Sequence, residues 1–407
     1  MFSKKIAHLG LVGLAVAQGQ LDAIPTGFNA SRWAWVSNQN PLLAVIPGDF
    51  NRSGFDAPSA AKVSDSRVAA INEQINQTSF VAYDTRFFDI IGPDATVEQL
   101  QVLPFQIHEA PCYIPETSQL YFVEWGGPGG GENGGHDYQY LLDLKTNILS
   151  TVRTNPPTWN VHGCVYSKGR LHVVTDGGPH ETGYLATIDP KTWERKTILN
   201  NHEEQPFISF NDLDMDPEGN YYLTDSLSGW GRDLHPYGVP TKPTVYFVNG
   251  TSLRIKTLMY LPDGNTNGIA VSPDGRSLYV ADTGASLTKP YRRTEQGPRD
   301  LWAFDFATSK ATGQKLPLLT NRRLLTRAIE YFYDGVRASR NGWIFGAGGE
   351  VVDVVDPESG WILGSIRVGG GGKEPVNLVF GENELWIVGK GGVWHVKNTS
   401  EKLAREW

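Results

Sequence analysis

The chain predicts an all-β fold, a six-bladed β-propeller closed by an N-terminal strand. Three observations carry that expectation. Its 407 residues include 45 glycines and 11% aromatics but only 20% charged side chains. A hairpin unit recurs six times, and a polar residue stands at a matched position at the head of each unit. Glycine and aromatic richness suits short strands and tight turns and argues against long helices. Length alone would suggest two or three domains, but a repeat architecture absorbs it in one ring of sheets.

The plainest unit is Gly264 to Gly284, GNTNGIAVSPDGRSLYVADTG. Apolar residues alternate on both sides of Pro273-Asp274-Gly275, which is a strong hairpin signal. A hairpin returns both ends to the same side, so Asn267 and Asp282 should share one sheet edge. The unit repeats from His108, Asn160, Phe210, Thr266, Tyr333 and Val376. Matching Glu109, His162, Asn211, Asn267, Asp334 and Asn377 gives spacings of 53, 49, 56, 67 and 43 residues. That is the length of a four-stranded blade with variable loops. The sixth unit shows only three strands, and the β-rich segment Ala82 to Ile91 is the candidate for its fourth. A pair of β-sandwiches, the rival architecture, leaves the six matched residues unexplained.

Around this core, residues 1–17 read as a secretory signal, with Lys4 and Lys5 before an apolar run and Ala15-Val16-Ala17 as a cleavage site. Residues 18–79 form an N-terminal extension with a helix near Ser66 to Ile75, and residues 80–407 form the propeller. Sequons at Asn29, Asn51, Asn76, Asn249 and Asn398 fit a secreted, extracellular glycoprotein. The net charge of −8 gives no basic footprint for nucleic acid. No later stretch reaches membrane-spanning length. The expected partner is a small molecule, and the chain is expected to be a monomer or small homo-oligomer. The two cysteines, Cys112 and Cys164, follow matched positions by three and two residues. They should therefore meet on adjacent innermost strands and form a disulfide.

The matched residues sit where each innermost strand begins, so they converge on one end of the central channel. Three long loops between second and third strands return to that end: Gly126 to Asp137, Leu227 to Pro243 and Gly284 to Arg299. They bring Trp230, Arg232, His235, Tyr237 and Tyr291 to the mouth. Glu109, Asn211, Asn267 and Asp334, with Asn377 and His162 beside them, offer two carboxylates and several amide oxygens. An all-oxygen cage favours Ca²⁺, with another divalent cation as the alternative. No G-x-S-x-G elbow, H-E-x-x-H helix or second D-[ST]-G motif supports another hydrolytic centre.

These hairpins resemble the SMP-30/gluconolactonase family of calcium-dependent lactonases, and within it the secreted fungal lactonohydrolases, over roughly residues 80–397. The resemblance implies metal ligation by Glu109 in HEAPC, Asn211 in FND, Asn267 in NGI and Asp334 in YDG. The last motif carries Tyr333 where the family has Pro. The related paraoxonases carry a proposed base in a P-H-G segment, which this chain matches at His162 and Gly163. The implied activity is hydrolysis of a sugar (aldono-) lactone or related lactone to the hydroxy acid. His162 is the first candidate base, with Asp212 and Asp282 behind it. A non-catalytic propeller that binds carbohydrate or protein around a structural calcium is the alternative. Strictosidine-synthase-like propellers resemble the fold but lack the full oxygen cage.

Overall fold

The structure, a computed structural model, describes residues 21–37, 39–124, 138–178, 180–234 and 242–406. The expected signal segment, the Gly126 to Asp137 loop, His235 and Tyr237 lie outside these residues. Six antiparallel sheets form the blades of the ring. Their innermost strands are His108–Ile114, Val161–Ser167, Phe210–Met215, Thr266–Val271, Val336–Ala338 and Glu374–Phe380. Buried apolar side chains fill the spaces between neighbouring blades. Ala110, Cys112 and Tyr121 of blade 1, for example, pack with Val161, Cys164 and Val173 of blade 2. Cys112 and Cys164 form the expected disulfide there, with Cα atoms 5.9 Å apart. A bridge across 52 residues stabilises the fold by about 3–4 kcal/mol through the unfolded chain.

The N-terminal region departs from expectation. Thr85–Ile91, part of the segment expected as the closing strand, is a helix. Asp84 caps it by accepting from the Arg86 backbone amide at 2.9 Å, and Gly92 ends it at φ +84°. Phe87, Phe88, Ile90 and Ile91 looked β-like by composition, but together they bury one helical face. The outermost strand of blade 6 is instead Thr96–Val102, paired antiparallel with Gly392–Lys397. Blade 5 gains two further strands, one from the extension and one from the residues that directly follow it. Phe80–Ala82 pairs antiparallel with Ile362–Arg367, and Trp33–Trp35 lies parallel beside it. Trp33 stacks on Phe80 and Phe88, at 4.7 and 5.1 Å between ring centroids. Helix Ser66–Asn76, capped by Asp65, buries Val68, Ile71 and Ile75 against this edge.

Five of the six innermost strands share one irregularity. Register breaks between Glu109 and Cys112, Val161 and Gly163, Phe210 and Leu213, Thr266 and Ile269, and Pro375 and Asn377. Bulges of this kind turn a side chain out of the strand's alternation, and each one here falls at a matched polar residue. Neighbouring blades also approach closely just after those residues. A Cβ on Gly268 would stand 2.1 Å from the Asp334 carbonyl oxygen, and one on Gly335 would stand 2.3 Å from Asn377 Cγ. The Asn-Gly and Asp-Gly pairs thus reflect interblade packing as well as the site.

Candidate active site

At the bulged ends of the inner strands lies a cavity of about 430 Å³. Glu109, His162, Asn211, Asn267 and Asp334, one from each of blades 1 to 5, line it together. Its side wall includes Ser228 and Arg232 of the blade 3 loop. The strand pair Ser286–Thr288 and Tyr291–Arg293, from the blade 4 loop, adds Ser286, Thr288 and Tyr291. Trp230 is not part of this lining; Lys289 lies over its ring at 5.0 Å. Asn377 stands behind the wall and donates from Nδ2 to Glu109 Oε2 at 3.0 Å.

The carboxylates carry the electrostatic signature of the cavity. Burial, followed by the charge of Asp334, pushes Glu109 well above the usual carboxylate range. Burial likewise raises Asp334 to about 6, against the opposing pull of His162 and a hydrogen bond from Asn267. Desolvation and like charge both disfavour ionisation, and a cation between such groups reverses both effects. Among the described residues no three His, Cys, Asp or Glu side chains cluster around a metal-sized point. The donors here are two carboxylates and two amides. That set, hard and free of sulfur, fits Ca²⁺.

His162 is 4% exposed and is held from both ends. Its Nδ1 lies 2.9 Å from Asp176 Oδ2. Its Nε2 lies 3.2 Å from Asn211 Nδ2 and 4.0 Å from Glu109 Oε1. Asp176, fully buried, also takes the Arg232 guanidinium on Oδ2 and the Ser209 and Ser228 hydroxyls on Oδ1. Burial alone would raise its pKa. The charges of His162 and Arg232, with these hydrogen bonds, outweigh burial and hold Asp176 far below the ordinary carboxylate range. Asp176 therefore stays anionic and fixes the imidazole with Nδ1 protonated.

The other two candidate bases stand elsewhere. Neither Asp212 nor Asp282 lines the cavity. Both oxygens of Asp212 are gripped by Arg337, at 2.6 and 3.0 Å. Leu213 and Ile269 add backbone amides to the same carboxylate. Asp282 accepts from the Asn265 and Gly284 backbone amides, each at 3.0 Å, and so ties the loop that precedes Asn267. Asp176 had not been singled out, although a signal existed. Asp176, Asp225 and Asp282 all follow or end the second strand of their blades, so the repeat that exposed Asp282 also pointed to Asp176. Nothing in the hairpin pattern marked Arg337.

Fold and site together define a six-bladed propeller with an oxygen-lined cavity and a carboxylate-backed imidazole at one mouth. The SMP-30/gluconolactonase/LRE-like region matches residues 107–389, and the chain belongs to this family. Two relatives from Aspergillus oryzae are lactonohydrolases. The chain is 29% identical to oryL, over 76% of its own length and 71% of that protein, and 27% identical to oryH, over 90% and 91%. Among solved structures, a gluconolactonase of Xanthomonas campestris superposes with a TM-score of 0.62 at 18% identity, covering 78% of this chain and 94% of that one. A calcium-binding regucalcin of Agrobacterium tumefaciens superposes at 0.53 and 16% identity, covering 76% and 95%. These last two likenesses concern the fold.

Proposed function

We propose that the protein is a secreted, Ca²⁺-dependent lactonase that opens a sugar (aldono-) lactone or related lactone to its hydroxy acid. One observation carries the reading: a single cavity gathers Glu109, Asn211, Asn267 and Asp334 around the Asp176-backed His162. The lactonohydrolase and gluconolactonase names of its relatives support the same chemistry. Glu109, Asn211, Asn267 and Asp334 would hold the cation, which when bound supplies a Lewis acid for the lactone carbonyl.

In this reading His162 Nε2 accepts a proton from the attacking water. The new bond joins the water oxygen to the lactone carbonyl carbon, and the ring C–O bond breaks. The imidazolium then returns its proton to the departing alkoxide, which becomes the free hydroxyl, and the new carboxylic acid releases the second water proton to solvent to leave the carboxylate. Asp176 holds the tautomer and offsets the positive charge that builds on His162. The described parts of the blade 3 and blade 4 loops line the mouth. Asp212 fits the base role poorly, because its proton-accepting oxygens are both bound to Arg337. Asp282 fits poorly because backbone amides occupy it away from the cavity.

Export is supported by the disulfide and by sequon placement. Asn29, Asn51, Asn76 and Asn398 are exposed and Asn249 is half-buried, which leaves them open to glycosylation. A pH-stat assay over sugar lactones, aliphatic lactones and aryl esters, with and without chelator, tests the proposal. Lactone turnover that stops with chelator and returns with Ca²⁺ is the expected result. No turnover of any lactone would leave a binding propeller, and full activity in excess EDTA would remove the cation.

A further inference from the structure

A second cavity, of about 370 Å³, adjoins the first, and Tyr331 and Glu374 line both. Five of its fourteen lining residues come from the N-terminal extension, which lies outside residues 107–389 that match the family. The segment around Phe55 is fastened to the ring at several points. The Tyr331 amide donates to the Gly54 carbonyl at 3.0 Å, and Arg299 donates to the same oxygen. Arg52 reaches the Ile329 carbonyl at 3.1 Å, and Ser53 bonds Glu295 at 2.5 Å. Phe55 and Asp56 are thereby placed on the rim opposite Arg293, Glu350 and Arg367.

The lining has a distinctive chemistry. Asp56, Glu350 and Glu374 outnumber Arg293 and Arg367, so there is no positive excess to favour a phosphate or carboxylate. The guanidinium pairs are loose, with Arg293 3.5 Å from Glu374 and the buried Arg367 3.9 Å from Glu350, whereas Glu374 is held by Lys390 at 2.5 Å. Both guanidinium donors and carboxylate acceptors thus retain bonding capacity toward a ligand. Phe55 meets Tyr331 edge-on at 5.2 Å, and Arg293 lies over the Tyr331 ring at 4.3 Å. Paired donors and acceptors beside aromatic faces suit a neutral polyhydroxylated ring, whose hydroxyls both donate and accept and whose C–H face is apolar.

We infer that this cavity is a subsite for a second sugar unit, so that the substrate is an aldonolactone carrying a glycosyl substituent. The inference rests on the lactonase reading for its first half: the lactone ring occupies the first cavity and the glycosyl unit passes Tyr331 into the second. Binding energy gained remotely from the reacting ester is then available to the reaction.

The test compares a monosaccharide aldonolactone with disaccharide aldonolactones, on the unmutated protein and on Arg293→Ala and Asp56→Ala. Asp56 is exposed, so its variant preserves the fold. The disaccharide lactone should show a kcat/KM about tenfold or more higher, and each variant should erase that advantage while leaving the monosaccharide lactone within about twofold. Equal kcat/KM for both substrates, or equal losses on both in the variants, overturns the subsite. Calorimetric binding of unreactive disaccharide alditols, against glucitol, separates this inference from the lactonase reading. If no lactone is turned over but the disaccharide alditol still binds and Asp56→Ala abolishes that binding, the subsite stands without the activity. Because Asn76 heads a sequon and lines this cavity, binding is measured before and after removal of N-linked glycan. Absence of binding in both states overturns the inference.

Discussion

Asn211 and Asp212 are consecutive on the innermost strand of blade 3, yet the two belong to layers with opposite electrostatics. At the mouth, Glu109 and Asp334 are buried together, and amides are their nearest hydrogen-bonding neighbours. Further along the same strands each buried carboxylate has its own guanidinium. Arg337 holds Asp212 at 2.6 and 3.0 Å, and Arg405 holds Asp214 at 2.9 and 2.5 Å. A buried charge without a counter-charge costs several kcal/mol, and a fold retains one only where something else compensates it. The deeper layer carries its own cation and braces the blades. At the mouth the basic side chains are committed elsewhere, Arg232 to Asp176 and Lys390 to Glu374, and among the described residues no guanidinium or ammonium pairs with Glu109 or Asp334, which is the condition for binding a cation.

The sharpest way to break this contrast is to neutralise the mouth. Glu109→Gln or Asp334→Asn should abolish turnover and weaken Ca²⁺ binding by about a hundredfold or more, while raising the melting temperature in EDTA because the repulsion is gone. Unchanged Ca²⁺ affinity by calorimetry would end the assignment. Next comes the base. His162→Ala should lower kcat by about 10²–10⁴-fold with Ca²⁺ affinity nearly unchanged. If that variant keeps most of its rate, the proton acceptor lies elsewhere.

Asp176→Asn tests the group behind the base. Its kcat should fall by about 10–10²-fold with Ca²⁺ affinity nearly unchanged, and Asp176→Glu should recover part of the rate. A loss of rate that Asp176→Glu does not recover at all would mark Asp176 as merely structural. In the deeper layer the effect should be on stability. Arg337→Met leaves Asp212 buried and unpaired and should cost about 3–5 kcal/mol in denaturant unfolding, with kcat retained well below the melting temperature. Adding Asp212→Leu should recover much of that loss.

The smallest effect is the pH dependence of stability. In the metal-free protein, Glu109 and Asp334 bind protons more tightly than in the unfolded chain, where carboxyls titrate near 4. The cost of ionising them is absent below pH ~4 and grows as the pH rises through about 6, so metal-free stability falls across that window. Asp353, raised by burial to about 6, and Glu330 and Asp225, raised by burial to about 7, add to the same decline. On the proposed reading only the mouth pair should respond to Ca²⁺. Scanning calorimetry should therefore show a larger Ca²⁺-induced shift in melting temperature at pH 7.5 than at pH 4.5. An equal shift at both values would remove the pair as the binding site.

The sequence by itself determined the blade count, the innermost strands, the disulfide partners and the residues that meet at the mouth. Each of these follows from local periodicity repeated six times, since a hairpin with a fixed turn carries its end residues to a fixed edge. Helix Ser66–Asn76 also lies where a helix was expected, near Ser66 to Ile75. Tertiary structure decided what local pattern leaves open. Thr85–Ile91 is helical because blades 5 and 6 offer its Phe and Ile residues one continuous apolar surface, while Thr96–Val102, weakly apolar, takes the strand edge. The partners of the three aspartates were decided in the same way. Asp176, Asp212 and Asp282 are alike as residues, and they differ because His162, Arg337 and two backbone amides reach them from other parts of the chain. The Phe55 rim depends on contacts more than 200 residues away in the chain, such as Ser53 to Glu295. No periodicity records such distant partners, because the ring's closure alone brings them together.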